Sequence, residues 1–296
     1  MTVGVVGVRG GWSTERLARA LQAAGVQTEV LDLQDCALQL PDRRVYHRGQ
    51  PVEALTAVAV KKIGDTADGP IVQERLNLLR VFEAGGVTVL SEPDRLEMAV
   101  NRYRMTVELA RAGIPIPETV VTETIGEAER AVEQVGAAVL KPLFTSKGRG
   151  MQLLEPSSNL RSTLERHRQN GFGPYYLQRL IKHSGRDLGV AVLEGRVLGA
   201  YWRVAKHEQW MTTIRAGGRY EPADPPAAAL DLAERAAKHF GLLFTGVDLV
   251  ETAEHGYVVL EVSAFGGFRG LLTACGVDAA SLVADALLRR LGEARP

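Results

Sequence analysis

Lys141-Pro142-Leu143-Phe144-Thr145-Ser146-Lys147-Gly148-Arg149-Gly150 is the stretch on which the reading of this chain turns. The apolar run Ala138-Val139-Leu140 before it has the length and texture of a buried strand. Lys141 then stands at a strand end, its ammonium directed beyond the sheet. The small residues and glycines that follow let backbone N–H groups approach phosphate oxygens closely. Ser146 adds a hydroxyl, and Lys147 and Arg149 add charge. No Gly-Lys-Ser/Thr closes the run, so it is not a Walker A loop. Taken alone, it reads equally well as a solvated basic turn.

Two carboxylates decide between those readings. Gly246-Val247-Asp248-Leu249-Val250 and Val259-Leu260-Glu261-Val262-Ser263 are apolar runs joined by the turn Glu254-His255-Gly256. On neighbouring antiparallel strands Asp248 and Glu261 face the same side. Carboxylates among apolar residues are costly unless they are paired or bind a metal. Mg²⁺ takes a few carboxylate oxygens and leaves its other positions to water and phosphates. Beside a lysine-and-glycine loop, the pair reads as a Mg–ATP site; in isolation, each carboxylate would simply pair with a nearby arginine.

Three further stretches point to anions. Arg203-Val204-Ala205-Lys206, followed by Trp210 to Gly218 with Thr213 inside it, suits a group gripped during reaction. Gly7-Val8-Arg9-Gly10-Gly11-Trp12-Ser13 lies at a strand–helix junction, with Asp32 near the end of the next strand. Its glycines miss the G-x-G-x-x-G spacing, although a helix start there could bind a carboxylate or phosphate. Lys61-Lys62 ends another strand in the same region; a solvated pair is the plain alternative.

Bulk composition is ordinary for a soluble globular protein, with 46% hydrophobic and 24% charged residues. Lys+Arg and Asp+Glu balance at 35 each in 296 residues, so no global field is available to hold nucleic acid or an anionic membrane. The two cysteines, Cys36 and Cys275, form no CxxC or His-flanked cluster, which points away from disulfides and zinc and toward a reducing cytoplasm. Met1–Gly7 is too short an apolar run for a signal peptide, and no stretch reaches membrane-spanning length.

Strand–helix alternation near the start predicts a small parallel sheet covered on both faces. Strands are expected at 2–8, 27–33, 57–60 and 88–90, with helices at 14–24, capped by Ser13, and 75–84. One long helix is expected over 94–112, and Gly113-Ile114-Pro115-Ile116-Pro117 then breaks the pattern. Strands at 119–122, 138–141 and 175–180 alternate with helices at 125–135 and 160–168. Beyond Asp187 the texture becomes antiparallel: strands at 189–193 and 196–204, a helix at 227–240, strands at 245–251 and 257–262, and a last helix at 278–291. The fold class is therefore α/β, turning α+β in the C-terminal part.

In this order the motifs resemble the ATP-grasp superfamily, and within it the RimK-like ligases that join a carboxylate to an amine. Asn101–Pro117, Lys141–Gly150, Gln178–Asp187, Arg203–Gly218 and Gly246–Gly270 carry the resemblance. It implies three domains, residues 1–96, 97–178 and 179–296, with the nucleotide between the second and third. It places Arg102 and Lys141 on the nucleotide phosphates, under the loop bearing Ser146, Gly148 and Gly150. It makes Gln178-Arg179-Leu180-Ile181 the hinge behind the adenine, with backbone contacts expected at Leu180 and Ile181. Asp187 falls near the ribose, Arg203 near the reacting phosphoryl group, Thr213 beside the site, and Asp248, Glu261 and Ser263 at the metal, Mg²⁺ with Mn²⁺ as the alternative.

Three positions depart from the family pattern: Ser263 and Thr213 stand where it has asparagines, and Gly189 where it has an arginine. The run Glu261–Gly270 resembles the ATP-grasp partner of GAK-type peptide-modifying gene clusters. The resemblance implies an ADP-forming ligase acting through an acyl phosphate on a small-molecule or peptide carboxylate and an amine such as glutamate. It implies no nucleic acid or membrane partner, and a homodimer or homotetramer. Two rivals stand beside it. One is a nicotinamide-dependent oxidoreductase built on the first sheet; the other is a Mg–ATP-binding regulator or scaffold that has lost catalysis. His183, His207 and His239 are scattered and form no triad with a serine or cysteine.

Overall fold

Apolar, β-branched runs at the start of the chain pair side by side, because buried strands need partners for every backbone N–H and C=O. In the computed structural model, which describes residues 1–52, 55–64, 68–206, 210–254 and 256–293, β1 (Thr2–Val6) is followed by α1 (Trp12–Ala23) and β2 (Gln27–Leu31). A short antiparallel sheet comes next: β3 (Cys36–Gln39), β4 (Arg44–His47) and β5 (Gln50–Pro51). Then come β6 (Ala57–Val60), α2 (Gly69–Ala84) and β7 (Thr88–Leu90). The parallel sheet has the order β2-β1-β6-β7. The expected helix cap at Ser13 is replaced by Gly11, which makes no side-chain cap bond. A Cβ on Gly7 would lie 2.3 Å from Thr14 Oγ1, so glycine there lets the helix close on the strand.

The expected long helix is two, α3 (Pro93–Val100) and α4 (Arg102–Arg111). Asn101 takes extended backbone, and its side chain accepts from the amides of Tyr103 and Arg104. A side-chain oxygen that caps a new helix start outcompetes continuation of the old one.

The middle of the chain forms β8 (Thr119–Thr122), α5 (Ile125–Val135), β9 (Ala138–Leu140), β10 (Gln152–Leu154), α6 (Leu160–Gln169) and β11 (Tyr175–Arg179), with sheet order β10-β9-β11-β8. It has a core of its own, including Val132, Leu140, Leu164 and Leu177. The C-terminal part holds β12 (Arg186–Leu193), β13 (Arg196–Val204), β14 (Arg219–Pro222), α7 (Ala227–Phe240), β15 (Phe244–Thr252), β16 (Gly256–Val262), α8 (Arg269–Cys275) and α9 (Ala279–Glu293). Its antiparallel sheet runs β14-β13-β12-β15-β16. A second core fuses this sheet to the first domain, joining Val6 and Leu76 to Val247 and Phe240 through Leu96 and Met105. Cys36 and Cys275 are both free thiols. Among the described residues no helix is long and apolar enough to cross a membrane.

His167, on α6, is fully buried between the rings of Phe172 and Tyr175, with both ring nitrogens unpartnered among the described residues. Burial holds its pKa down at about 4. Between about pH 6.5 and 4 the unfolded chain takes up a proton that the folded one refuses, so stability falls as pH drops through this window. His167→Phe is expected to leave the neutral-pH fold intact and to remove roughly 2 kcal/mol of acid-side loss, as read from urea midpoints at pH 7 and pH 4.5.

Candidate active site

Lys141 continues the β9 ladder, its amide donating to Tyr176 O at 2.9 Å. Its Nζ donates to Gln178 Oε1 at 2.5 Å. Gln178 is itself held by Thr119 Oγ1 and by the Tyr176 hydroxyl, which meets Thr106 Oγ1 at 2.7 Å. This network fixes one ammonium in a nearly closed setting with a single acceptor on it among the described residues. Burial, then the nearby Arg102, lowers its pKa to about 7, against the pull of Glu261 and Asp248.

Arg102 begins α4 because Asn101 breaks the helix there. Its guanidinium donates to Pro142 O and, at 3.0 Å, to Thr145 O, and it lies 3.4 Å from Glu261 Oε2. Its backbone amide donates to Leu143 O. The residue expected on the nucleotide phosphates therefore clamps the Pro142–Thr145 loop and ties it to Glu261. Loop residues Lys147, Gly148 and Gly150 all have positive φ, of 58°, 73° and 69°. Phe144 is pinned against α2, where a Cβ on Gly69 would lie 2.7 Å from its ring. Gly148 comes up against Thr213, whose Cγ2 would stand 3.3 Å from a Cβ there. The Thr145 hydroxyl is buried without a partner among the described residues, and nothing in the local sequence marks it as a donor.

Alternation along the C-terminal sheet does the rest. Asp187 pairs with Arg203, Gly189 with both Tyr201 and Asp248, and Asp248 with Glu261. With period two these side chains share one face. Arg203 forms a fork on Asp187, Nε to Oδ1 at 3.1 Å and Nη2 to Oδ2, and its Nη1 lies 2.9 Å from Asp248 Oδ2. Burial opposes its charge, but Asp187 and Asp248 hold it well above its ordinary value. Burial also pushes the Asp248 carboxyl up; Arg203 opposes, and Asp187 and Glu261 add to the rise.

A site with a half-buried carboxylate beside an arginine and a second carboxylate in register fits a divalent cation. No cluster of three or more acidic, histidine or cysteine ligands occurs among the described residues, so water and phosphate oxygens would complete the shell, as Mg²⁺ prefers. Ser263 follows β16 with its amide on Gly246 O at 2.8 Å, and its carbonyl takes Thr245 Oγ1 at 2.7 Å; its backbone is thereby fixed beside the pair.

Two expectations shift. Asp187 is given over to Arg203, so its carboxylate is not open toward a ribose in this state. The Leu180 amide donates to Ala137 O at 2.9 Å, which leaves Ile181 as the hinge amide free of backbone bonds among the described residues. In the first domain, Arg9 N donates to Asp32 Oδ2 at 3.1 Å, so Asp32 braces the turn instead of awaiting a nicotinamide ribose. Lys61 is not solvated: its Nζ donates to Gly266 O at 2.5 Å and sits 4.6 Å from the Phe268 ring centre. His183 bridges Trp210 O and Gly185 N, and His239 meets Glu108; both are structural. His207 and His255 lie outside the described residues.

Comparison with known proteins agrees with this geometry. The RimK-like ATP-grasp domain model matches residues 99–287, and the RimK PreATP-grasp domain model matches residues 1–96. A tetrahydromethanopterin:alpha-L-glutamate ligase of Methanosarcina acetivorans is 28% identical, covering 93% of this chain and 95% of that one. A probable alpha-L-glutamate ligase of Thioalkalivibrio sulfidiphilus is 30% identical, over 92% and 90%. Among solved structures, the ATP-grasp ligase PsnB complexed with a phosphomimetic variant of minimal precursor, Mg and ADP superposes with a TM-score of 0.74 at 23% identity, over 98% of both chains.

Proposed function

The chain belongs to the RimK-like ATP-grasp family, and from that premise we propose that it adds an amino acid such as glutamate to the carboxylate of a peptide or small molecule. It is an ATP-dependent carboxylate–amine ligase. A carboxylate is a poor electrophile, so its oxygen first takes the γ-phosphoryl group of ATP, with ADP leaving. The amine then attacks the acyl carbon, and phosphate departs with its C–O bond. Such a transfer needs alignment and charge neutralisation more than a covalent protein nucleophile.

One observation carries the reading: Arg203, Asp248 and Glu261 share one face of the C-terminal sheet, and the Lys141 ammonium, at the end of β9, lies close enough to feel both carboxylates. Lys141 and Arg203 hold phosphoryl charge. Asp248 and Glu261, with Ser263 at the margin, hold Mg²⁺, which supplies Lewis-acid charge to the transferring group. Ser146, Gly148 and Gly150 line the triphosphate, Gln178 and Ile181 the base, and Thr213 the rim. The separate core of the middle part supports division into bodies 1–96, 97–178 and 179–296, the second closing on the third to exclude water. The free thiols support a cytoplasmic setting, and a homodimer or homotetramer is the assembly we expect.

The test is ADP release with Mg–ATP and a panel of glutamate-terminated peptides, with L-glutamate as the amine. Release that needs acid and amine together supports the ligase; tight Mg–ATP binding with no release across the panel would overturn it.

A further inference from the structure

Gly189 stands beside the reacting groups where the family pattern carries an arginine, and the space above it is filled. The Tyr201 ring lies over it: a Cβ on Gly189 would come 2.6 Å from Cε2 and 3.0 Å from the hydroxyl oxygen. From the other side Gly270, at the start of α8, presses on the same ring, since a Cβ there would lie 2.2 Å from Cζ. Two glycines thus make a slot one aromatic ring wide. The ring also meets Tyr220 edge-on at 5.3 Å between centres.

The slot has a direction. Tyr201 is on β13, Gly189 is its partner on β12, and Asp248 is the partner of Gly189 on β15. A phenol reaching from β13 over Gly189 therefore carries its hydroxyl toward the metal carboxylate. Tyr201 shares its face with Arg203, two residues on. Only 8% of the residue is exposed, yet the hydroxyl makes no hydrogen bond among the described residues. Burial raises its pKa well beyond neutrality, with Arg203 opposing and Asp248 adding to the rise. It stays a neutral donor at working pH, and its oxygen is not sealed in as the Thr145 and Tyr175 hydroxyls are, so an incoming acceptor can reach it.

We propose that the Tyr201 hydroxyl is a catalytic donor to the carboxyl oxygen of the acid substrate, doing from β13 what a side chain at position 189 cannot do here. This rests on the ligase reading above. The hydroxyl donates its hydrogen bond to the carboxyl oxygen that stays on the acyl carbon, and transfers no proton. When the amine attacks, that oxygen gains charge in the tetrahedral species, and a fixed donor there favours the transition state over the ground state. The charge then returns as phosphate leaves.

Tyr201→Phe isolates the hydroxyl, because the ring that fills the slot remains. ADP release is measured with Mg–ATP, L-glutamate and the glutamate-terminated peptide panel, alongside melting curves and calorimetry with Mg–ATP. The variant is expected to melt with the wild type and bind Mg–ATP equally, while kcat/KM for the acid falls by roughly 10–100-fold. Unchanged kcat/KM overturns the proposal; so does a loss matched by lower melting temperature and weaker Mg–ATP binding, which would mark the hydroxyl as structural. Gly189→Arg combined with Tyr201→Ala is a second check. The emptied slot accepts the arginine, and the pair is expected to recover part of the activity lost in Tyr201→Ala alone. No ADP from the wild type with any acid would instead sink the ligase reading, and this proposal with it, whereas wild-type activity matched by Tyr201→Phe sinks this proposal only.

Discussion

Lys141→Met is expected to abolish turnover and, in the same protein, to raise the melting temperature without ligand. The two signs have one cause. Lys141 is nearly buried, its ammonium has one acceptor among the described residues, Gln178 Oε1, and burial with Arg102 lowers its pKa to about 7. The ligand-free fold therefore carries a desolvated cation awaiting an anion. Triphosphate oxygens supply that anion, and without the lysine the γ-phosphoryl transfer loses a pre-aimed charge worth about 10²–10³ in rate. Without ligand, methionine has nothing to desolvate. It leaves Gln178 Oε1 short of a donor, at about 1–3 kcal/mol, but removes the larger cost of the lowered pKa.

pH separates this from a general packing effect. Between about pH 7 and 10.5 the unfolded chain binds a proton that the folded Lys141 does not. Stability of the wild type thus rises with pH across that window. Lys61, pushed by burial to about 7 with Lys62 and Lys147 adding, contributes a slope of the same sign. Lys141→Met is expected to roughly halve the slope, and Lys61→Met with Lys141→Met to flatten most of it, as read from urea midpoints at pH 7, 8.5 and 10. Nucleotide binding has the opposite dependence: phosphates favour the protonated lysine, so Mg–ATP affinity of the wild type should weaken as pH rises above 7, with proton uptake seen as buffer-dependent heat. An unchanged slope in Lys141→Met would sink the account of Lys141 as a strained cation.

The legible parts of the molecule were those where local chemistry and global role coincide. Asp248 and Glu261 could be read because period-two alternation places a lone carboxylate inside each of two apolar runs joined by a short turn, and β15 and β16 do pair them. The place of Lys141 at a strand end could be read because the short apolar run Ala138–Leu140 precedes it and glycines follow, and its amide does extend the β9 ladder. The 94–112 helix was misread because helical periodicity runs through Asn101, and only its capping bonds to Tyr103 and Arg104 reveal the break. The β3–β5 sheet stayed hidden for a related reason: Arg43 and Arg48 take positive φ of 56° and 53°, positions where glycine or asparagine would have announced the turns. Which arginine serves which carboxylate was not legible at all. The Arg102–Glu261 pair spans 159 residues, and nothing local marks it. Tyr201 and Tyr176 were within reach, each two residues before a residue already singled out and so on the same face. They were passed over because an aromatic in a strand reads first as core.

Arg203→Ala is expected to be the most damaging single change, with both stability and turnover lost. Arg203 sits between Asp187, which it grips by two nitrogens, and Asp248 at 2.9 Å. Asp187 is only 4% exposed. Removing the cation leaves two carboxylates facing each other in a buried setting, a change that typically costs about 3–5 kcal/mol. The loss is repairable in a way that identifies its origin. Asp187→Asn in the Arg203→Ala background removes one of the two charges and should recover a large part of the stability while recovering none of the activity, since the guanidinium that meets the phosphoryl charge beside Lys141 is still missing. Mg²⁺ without nucleotide should stabilise Arg203→Ala more than it does the wild type, because in the variant Asp248 lacks its counter-charge and binds the cation more tightly, and a ligand stabilises in proportion to its occupancy of the folded state. Arg203→Lys keeps the charge but cannot reproduce a planar fork on Asp187 while reaching Asp248, so it should fall between the two in stability and close to Arg203→Ala in turnover. Melting curves of the four proteins with and without Mg²⁺, beside their ADP release, decide the matter. If Arg203→Ala melts with the wild type, Arg203 is not the counter-charge of this sheet, and the balance of charge drawn for the site fails at its centre.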